Sequence, residues 1–311
     1  LEVWHLDIED FLELRKNTGD DRRRCHDMNT AVWVCDEFME AIVKEKEWYL
    51  FDPAECPELH ETYGEEFSKK YNEYCEKADG GKLKSFRKIG AKELWKKILT
   101  ALYETGHPWI TFKDPSNIRY SNKHVGVVHS SNLCTEILLH TKPSVYNEGV
   151  LVDKGETAVC NLASINLANH LKVRSVDWKE LSKTIEIAVR GLDNVIDLNF
   201  YPTKEAENSN TKSRPIGLGI MGTHDMLHSL NIPYDSKEAV EMCGKVQEFV
   251  SYCAIKTSCL LAKEKSSYPV FGGSEWDRGN LPIDTYCRLI NSREGTKKHK
   301  AADFETVDGW D

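Results

Sequence analysis

Helical segments of period 3.6 alternate along this sequence with short apolar segments of period two, and that alternation predicts an α/β fold with a largely parallel sheet. The clearest helical signal covers residues 92–105, where Leu94, Trp95, Ile98, Leu99 and Leu102 share a face and Gly106 follows. The clearest strand signal is the alternation of Ile216, Leu218 and Ile220 with Gly217 and Gly219, which suits a strand packed closely against another backbone. Neither an internal repeat nor a flexible linker divides the chain.

The elements follow in order. Residues 3–6 predict a strand. Asp7 then caps a helix on which Ile8, Phe11 and Leu12 share a face, with Arg15 and Lys16 in its last turn and Gly19 beyond. Residues 17–29 are polar and basic, with Arg22, Arg23 and Arg24 in a row, and read as a loop. Asp36 caps a helix through Glu45, and residues 52–90 are charge-rich with helical pieces, including 65–77. Residues 109–112 form a short strand after Pro108, residues 125–128 another, and Ser130, Ser131 and Asn132 a loop. Residues 142–155 are a turn-rich excursion. Asp177 opens a helix to Asn199 with Leu181, Ile185, Ala188, Leu192 and Ile196 inward, and residues 236–265 form a long helix.

Composition bounds the function. The chain has 311 residues, 29% charged and 40% hydrophobic, which places it with soluble globular proteins. A net charge of −9 argues against a nucleic-acid surface, which wants a basic stripe, but leaves room for a small anionic substrate held by local Arg or Lys. With no run of about 18 apolar residues, no membrane span is expected. No signal peptide is evident, and a cytoplasmic location is expected. The chain starts at Leu1 without Met and stops at Asp311 without a cap, so it is expected to be an excerpt of a longer protein.

Ten cysteines run from Cys25 to Cys287 without a CxxC pair, so neither a zinc ribbon nor a thioredoxin-like pair is indicated. Reduced, mostly buried thiols are expected, and no metal ligand set is read from the spacings of Cys or His. Cys25, in the arginine-rich loop where nearby cations would lower a thiol pKa, is read as incidental.

The most informative segment is Ser131-Asn132-Leu133-Cys134-Thr135-Glu136-Ile137. If it is extended, Asn132, Cys134 and Glu136 point to one face, and an amide, a thiol and a carboxylate converge. Spacing alone allows the blander alternative, a loop in which Asn132 caps a turn, Cys134 is buried and Glu136 faces water. A second segment, Ala158-Val159-Cys160-Asn161-Leu162-Ala163-Ser164-Ile165-Asn166-Leu167, reads by itself as a core cysteine at the start of a strand or helix.

Together these two segments closely resemble the active-site signature of the large, catalytic subunit of class I (aerobic) ribonucleotide reductases. The resemblance covers essentially the whole chain, through Val3-Trp4-His5-Leu6-Asp7-Ile8, Lys16-Asn17-Thr18-Gly19, Asp27-Met28-Asn29 with Trp33 and Phe38-Met39, residues 117–122, Arg214-Pro215-Ile216-Gly217-Leu218-Gly219 and Leu281-Pro282-Ile283-Asp284-Thr285-Tyr286. It implies part of a ten-stranded β/α barrel of two antiparallel half-barrels, with the active-site loop inside. The whole chain, 1–311, would be the central part of one catalytic barrel domain, lacking the N-terminal ATP-binding region, the C-terminal part of the barrel and the redox tail. The excerpt is expected to be inactive alone.

The same resemblance implies the chemistry. Cys134 would carry a thiyl radical that takes the 3′ hydrogen of a ribonucleoside diphosphate, Glu136 would be the general base on the 3′ hydroxyl, and Asn132 would bind substrate and steady the carboxylate. Residues 132–136, with Leu133 and Thr135, would line the substrate. Cys160 would be one of two reducing thiols, near Cys134 but not bonded to it, with its partner outside this chain. Residues 17–29 resemble a specificity loop that reports the bound nucleoside triphosphate effector, with Arg24 as its nucleotide contact. The implied partners are a metal-containing, radical-generating small (beta) subunit, thioredoxin or glutaredoxin as reductant, and a second large subunit in a homodimer. No cofactor or metal is implied on this chain itself.

Two rival readings stand beside this one. A non-catalytic nucleotide-binding paralogue would keep the barrel without the chemistry, and the intact Asn132, Cys134, Glu136 and Cys160 set speaks against it. An anaerobic or cobalamin-dependent thiyl-radical reductase would share Cys134 chemistry, but the wording Asn-Leu-Cys-Thr-Glu favours the aerobic class. The glycine-bearing run at residues 214–219 lacks the Walker Lys and the full Rossmann spacing, so strand packing is its better reading.

Overall fold

Residues 1–294 and 299–300 are described by the computed structural model. The end of the chain around Val307 to Asp311, read above as an uncapped stop, lies outside them. The described residues divide into two units, one from Leu1 to Thr141 rejoined by the chain from Leu281, the other from Lys142 to Asn280.

In the first unit residues 3–6 do not form the expected strand. Two isolated parallel bridges, Glu2 to Trp33 and His5 to Phe51, flank a turn in which the His5 N–H donates to the Glu2 carbonyl at 3.1 Å. The turn drops Val3 and Trp4 into the core while the backbone stays bonded on both sides. Helix α1 (Ile8–Glu13) buries Ile8 and Leu12 as expected. Asp7 gives it no side-chain cap, and the helix stops before Arg15 and Lys16. Arg15 instead donates to the carbonyls of Met28, at 2.9 Å, and His26, pinning the far end of the following loop.

Strand β1 (Ala31–Val34) is β-branched and aromatic and buries Val32, Trp33 and Val34. It is followed by α2 (Asp36–Val43), β2 (Glu47–Phe51), α3 (Glu58–Glu61), α4 (Gly64–Asp79), β3 (Phe86–Gly90), α5 (Ala91–Thr105), β4 (Trp109–Phe112) and α6 (Lys113–Arg119). β1 and β4 pair in parallel, Val32 opposite Ile110, whereas β2 and β3 pair antiparallel, Trp48 opposite Ile89. The core between them is aromatic. Trp48 stacks on Tyr71 at 4.2 Å and meets Phe38 edge-on at 5.0 Å. On α5, Leu94 and Ile98 point inward, but Leu99 is 40% exposed, because it falls on the helix flank.

Asp36 is the first residue of its helix, not the cap. Cys35 holds the cap position without a side-chain bond, and the orphan N–H groups find their acceptor elsewhere. Asp114, 1% exposed at the start of α6, accepts from the Asp36 N–H at 2.6 Å with one oxygen and from the Gly64 N–H with the other. One buried carboxylate thus caps both α2 and α4. Burial, and secondarily the Asp114 charge, pushes the Cys35 thiol well above its ordinary range, so Cys35 stays a neutral packed side chain.

The second unit starts with a hairpin of β5 (Val145–Asn147) and β6 (Val150–Asp153), the structured part of the expected excursion, turning at Glu148 and Gly149. Next come β7 (Leu162–Asn166), the short β8 (Leu171–Lys172) and β9 (Ser175–Val176), α7 (Trp178–Leu198), α8 (Lys204–Ser213), β10 (Gly217–Met221), α9 (Thr223–Ser229) and α10 (Lys237–Lys265). The two long helices start where the sequence predicts, with Asp177 capping α7 and Ser236 capping α10 through their side chains. Leu181, Ile185, Leu192 and Ile196 face inward, joined by Val189. β7 and β10 pair in parallel, Ser164 opposite Gly219, and a Cβ at Gly219 would lie 3.4 Å from the Ser164 hydroxyl. The strand read from the glycine alternation is present, and its pairing leaves ordinary contact room at Gly219. After Asn280 the chain returns to the first unit as α11 (Pro282–Glu294), where the Arg119 guanidinium lies over the Tyr286 ring at 5.7 Å.

The fold is mixed α/β, but the largely parallel sheet is not formed among the described residues. Their strands make five two-stranded sheets, two of them parallel, and no closed barrel. No described helix is long and apolar enough to cross a membrane.

Candidate active site

Residues 125–128 carry no strand. Val128 is fully buried, and its backbone is satisfied by one side chain in place of a ladder. Asn117, buried on α6, accepts the Val128 N–H at 2.8 Å and donates to the Val128 carbonyl at 3.0 Å. The same amide donates to the Lys113 carbonyl at 3.0 Å. An Asn side chain thus substitutes for a neighbouring strand, a role with no signature in the sequence. Asn117→Ala is expected to cost about 1–3 kcal/mol, because it leaves a buried N–H and a buried carbonyl without partners. Denaturant unfolding checks the cost, and faster amide exchange at Val128 should accompany it.

Beyond Val128 the chain enters a tight loop. Asn132 and Ile137 face each other across it: the Asn132 N–H donates to the Ile137 carbonyl at 3.2 Å, and the Asn132 side-chain oxygen accepts the Ile137 N–H at 3.0 Å. Inside this clasp the Thr135 N–H donates back to the Asn132 carbonyl at 3.2 Å, and Thr135 takes a left-handed φ of 70°. The segment is therefore turned, not extended, and period-two alternation does not place its side chains. Leu133 and Cys134 are at the tip and exposed, Thr135 is half-buried and Glu136 is exposed. The turn presents a thiol and a carboxylate outward while Asn132 spends its oxygen on closing the loop. Below it, the Tyr120 hydroxyl lies 2.7 Å from His140 Nδ1, with both side chains buried.

The loop stem also carries His129, whose environment no spacing reveals. Its Nδ1 is 3.2 Å from the Thr141 hydroxyl, its ring stacks on His60 at 4.0 Å and 11°, and its Nε2 lies 3.3 Å from a Glu61 oxygen. Burial, then the His60 ring, holds the His129 imidazole below its ordinary range.

Arg24 closes its own loop. Its Nε and Nη2 donate to the Thr18 carbonyl at 3.0 and 2.6 Å, and Nη2 is 3.9 Å from Glu13. Gly19, at φ 96°, packs against this guanidinium where a Cβ would collide with it. Arg22 is spent on Asp20, in a bidentate pair that holds the Asp20 carboxyl below its usual range. Cys25 is exposed beside them.

Cys160 lies in the second unit, half-buried, just before β7. Asn161 fixes this point: its side chain donates to the Pro215 carbonyl at 3.0 Å and its carbonyl accepts the Gly217 N–H at 2.8 Å. None of the ten cysteines is in a disulfide. Arg214 is held by Asp193 at 2.8 Å and Asp197 at 2.7 Å, and Gly217 to Gly219 are strand.

The family model described as "Ribonucleotide reductase, barrel domain" matches residues 1–310. The ribonucleoside-diphosphate reductase subunit alpha of Chlamydia muridarum is 56% identical over 293 residues, 94% of this chain and 27% of that protein. The corresponding subunit of Helicobacter pylori is 42% identical, covering 91% of this chain and 41% of that protein. The large subunit of Caenorhabditis elegans is 38% identical, covering 96% of this chain and 37% of that protein. The chain thus spans between a quarter and two fifths of the length of these relatives.

Proposed function

We propose, since the chain belongs to the ribonucleotide reductase barrel-domain family, that it is the central part of a catalytic (alpha) subunit that reduces ribonucleoside diphosphates to deoxyribonucleotides. The observation that carries the reading is the clasped turn of residues 132–137, which holds the Cys134 thiol out at its tip with Glu136 exposed two residues on. The remainder of the longer protein would complete a ten-stranded barrel around this loop. The excerpt alone would lack the second reducing thiol and the radical path, and would be inactive.

The steps then assign themselves to residues of this chain. A small (beta) subunit supplies the oxidising equivalent that removes the Cys134 hydrogen. The Cys134 thiyl takes the 3′ hydrogen, forming S–H and leaving the radical on C3′. Glu136 receives the proton of the 3′ hydroxyl. The 2′ hydroxyl leaves as water, and a thiol pair that includes Cys160 supplies two electrons and two protons, one proton to the departing water and one hydrogen to C2′, and ends as a disulfide, while Glu136 returns its proton to the 3′ oxygen. The Cys134 S–H returns its hydrogen to C3′, and the thiyl is restored. Thioredoxin or glutaredoxin would reduce the disulfide from outside. Asn132 positions the loop and the sugar together, with Leu133 and Thr135 flanking. Residues 17–29 would transmit the bound effector nucleotide, with Arg24 setting the shape of that loop through Thr18, and a homodimer of large subunits would be the working form.

The test is a competition between protiated substrate and substrate deuterated at C3′, using the complete subunit, its small subunit and a thiol reductant. Deoxyribonucleotide should form with discrimination against the deuterated substrate. Product formed without any discrimination, or no product, would overturn the reading.

A further inference from the structure

Two imidazoles and a carboxylate meet at the root of the Cys134 loop, on segments far apart in the chain. The ligand-type atoms of His60, Glu61 and His129 all lie within 4.8 Å of one another. His129 Nε2 is buried, and the polar atom that faces it is a Glu61 oxygen 3.3 Å away. The opposite nitrogen, Nδ1, is 3.2 Å from the Thr141 hydroxyl, the kind of outer contact that fixes ring orientation and tautomer at a metal site. A buried ring nitrogen beside a carboxylate, with a second imidazole alongside, is a set of N, N and O donors. Zinc and its borderline neighbours among the divalent ions take such sets. The charges behind the group agree in sign. Glu2 approaches His60 Nδ1 at 3.3 Å, and the Lys113 ammonium is already taken by Glu2 at 2.9 Å and the Leu59 carbonyl at 2.7 Å. With Glu61 the local balance is one negative charge.

We propose that His60, Glu61 and His129 form a binding site for a divalent ion of the zinc class, with water completing the shell. The ion-free arrangement is a stack. Two rings 4.0 Å apart and 11° from parallel direct their in-plane lone pairs side by side, not at one point. Capture requires His60 to turn out of the stack. Its side chain is 46% exposed and Glu61 is 60% exposed, so both have room to move toward the fixed His129. A bound ion would tie α3 to the stem of the loop three residues before Asn132, and so stiffen the base of the Cys134 turn. The site does not depend on the reductase reading.

The probes are Co2+ and Zn2+ alone, added to the complete subunit at neutral pH after the exposed thiols Cys25, Cys134 and Cys259 have been alkylated. The expected result is one equivalent of Co2+ with visible bands, without a thiolate-to-metal charge-transfer band, and displaced by Zn2+. His129→Ala should weaken binding by more than the roughly 10–100-fold that loss of an outer contact costs. His60→Ala and Glu61→Gln, both on the surface, should also weaken it and keep the test valid if His129→Ala fails to fold. His228→Ala, at an exposed histidine of the second unit, should leave it unchanged. Absence of stoichiometric uptake, or uptake indifferent to His60→Ala and Glu61→Gln, would overturn the site.

Discussion

Cys134→Ser, made in the complete subunit, is expected to lower ribonucleotide reduction by more than about a thousandfold, roughly 4 kcal/mol of transition-state stabilisation, while substrate affinity changes little. Serine keeps the shape and the donor at the tip of the turn. The clasp that shapes the loop uses Asn132, Thr135 and Ile137 and does not involve the thiol, so the loop should survive the change. What serine cannot supply is a readily broken bond to hydrogen, since O–H is much stronger than S–H. Cys160→Ser should fail differently. The radical would still form at Cys134, but no disulfide could close, and turnover would stop after initiation. Product formation and substrate affinity, measured for both variants with small subunit and reductant, separate the two outcomes. Retention of more than roughly a thousandth of the parent rate by Cys134→Ser would remove the radical role from that residue.

Lys113→Met is expected to cost about 3–5 kcal/mol of stability, a large share of the roughly 5–15 kcal/mol that holds a domain together. Lys113 is fully buried, and its ammonium bonds Glu2 at 2.9 Å and the Leu59 carbonyl at 2.7 Å over the face of Phe67. Glu2 is itself 6% exposed and accepts the Trp4 indole N–H at 3.1 Å through its other oxygen. Removing the cation strands a carboxylate in the core, and that stranded charge is the main cost. The double variant Lys113→Met with Glu2→Gln should therefore be less destabilised than Lys113→Met alone. Denaturant midpoints of the three proteins decide it. A single variant within about 0.5 kcal/mol of the parent, the range of surface changes, would contradict the buried pair.

How far the sequence could be read depended on whether a residue's partner was local. Helices α5, α7 and α10 were legible because periodicity and the Asp177 and Ser236 caps are properties of neighbouring residues. β10 was legible because its apolar residues alternate with glycines over the strand. β1, β2 and β3 were missed. The run Trp48-Tyr49-Leu50-Phe51 does not alternate, and its strand state depends on pairing with residues 86–90, inside a stretch read for its charge. Residues 125–128 look like a strand and are not, since Asn117 supplies from α6 what a neighbouring strand would. The site was named by resemblance, and of the two local readings left open, extended or looped, the chain takes the loop. Alternation assumes an extended chain, and Thr135 at positive φ breaks that assumption between Cys134 and Glu136. The meeting of His60 with His129 leaves no trace in spacing at all.

The shared cap at Asp114 has a consequence for the order in which the protein comes into being. During synthesis the amino terminus of α2 leaves the ribosome 78 residues ahead of the carboxylate that caps it, and that of α4 leads by 50. At about 5–20 residues per second the first of these helix ends waits roughly 4–16 s, its N–H groups answered only by water. Nascent chains arrested before Asp114 should hold α2 and α4 loosely and be cut readily by protease. Chains arrested well past it should resist, with protection arriving at both helices together, since one side chain brings it to both.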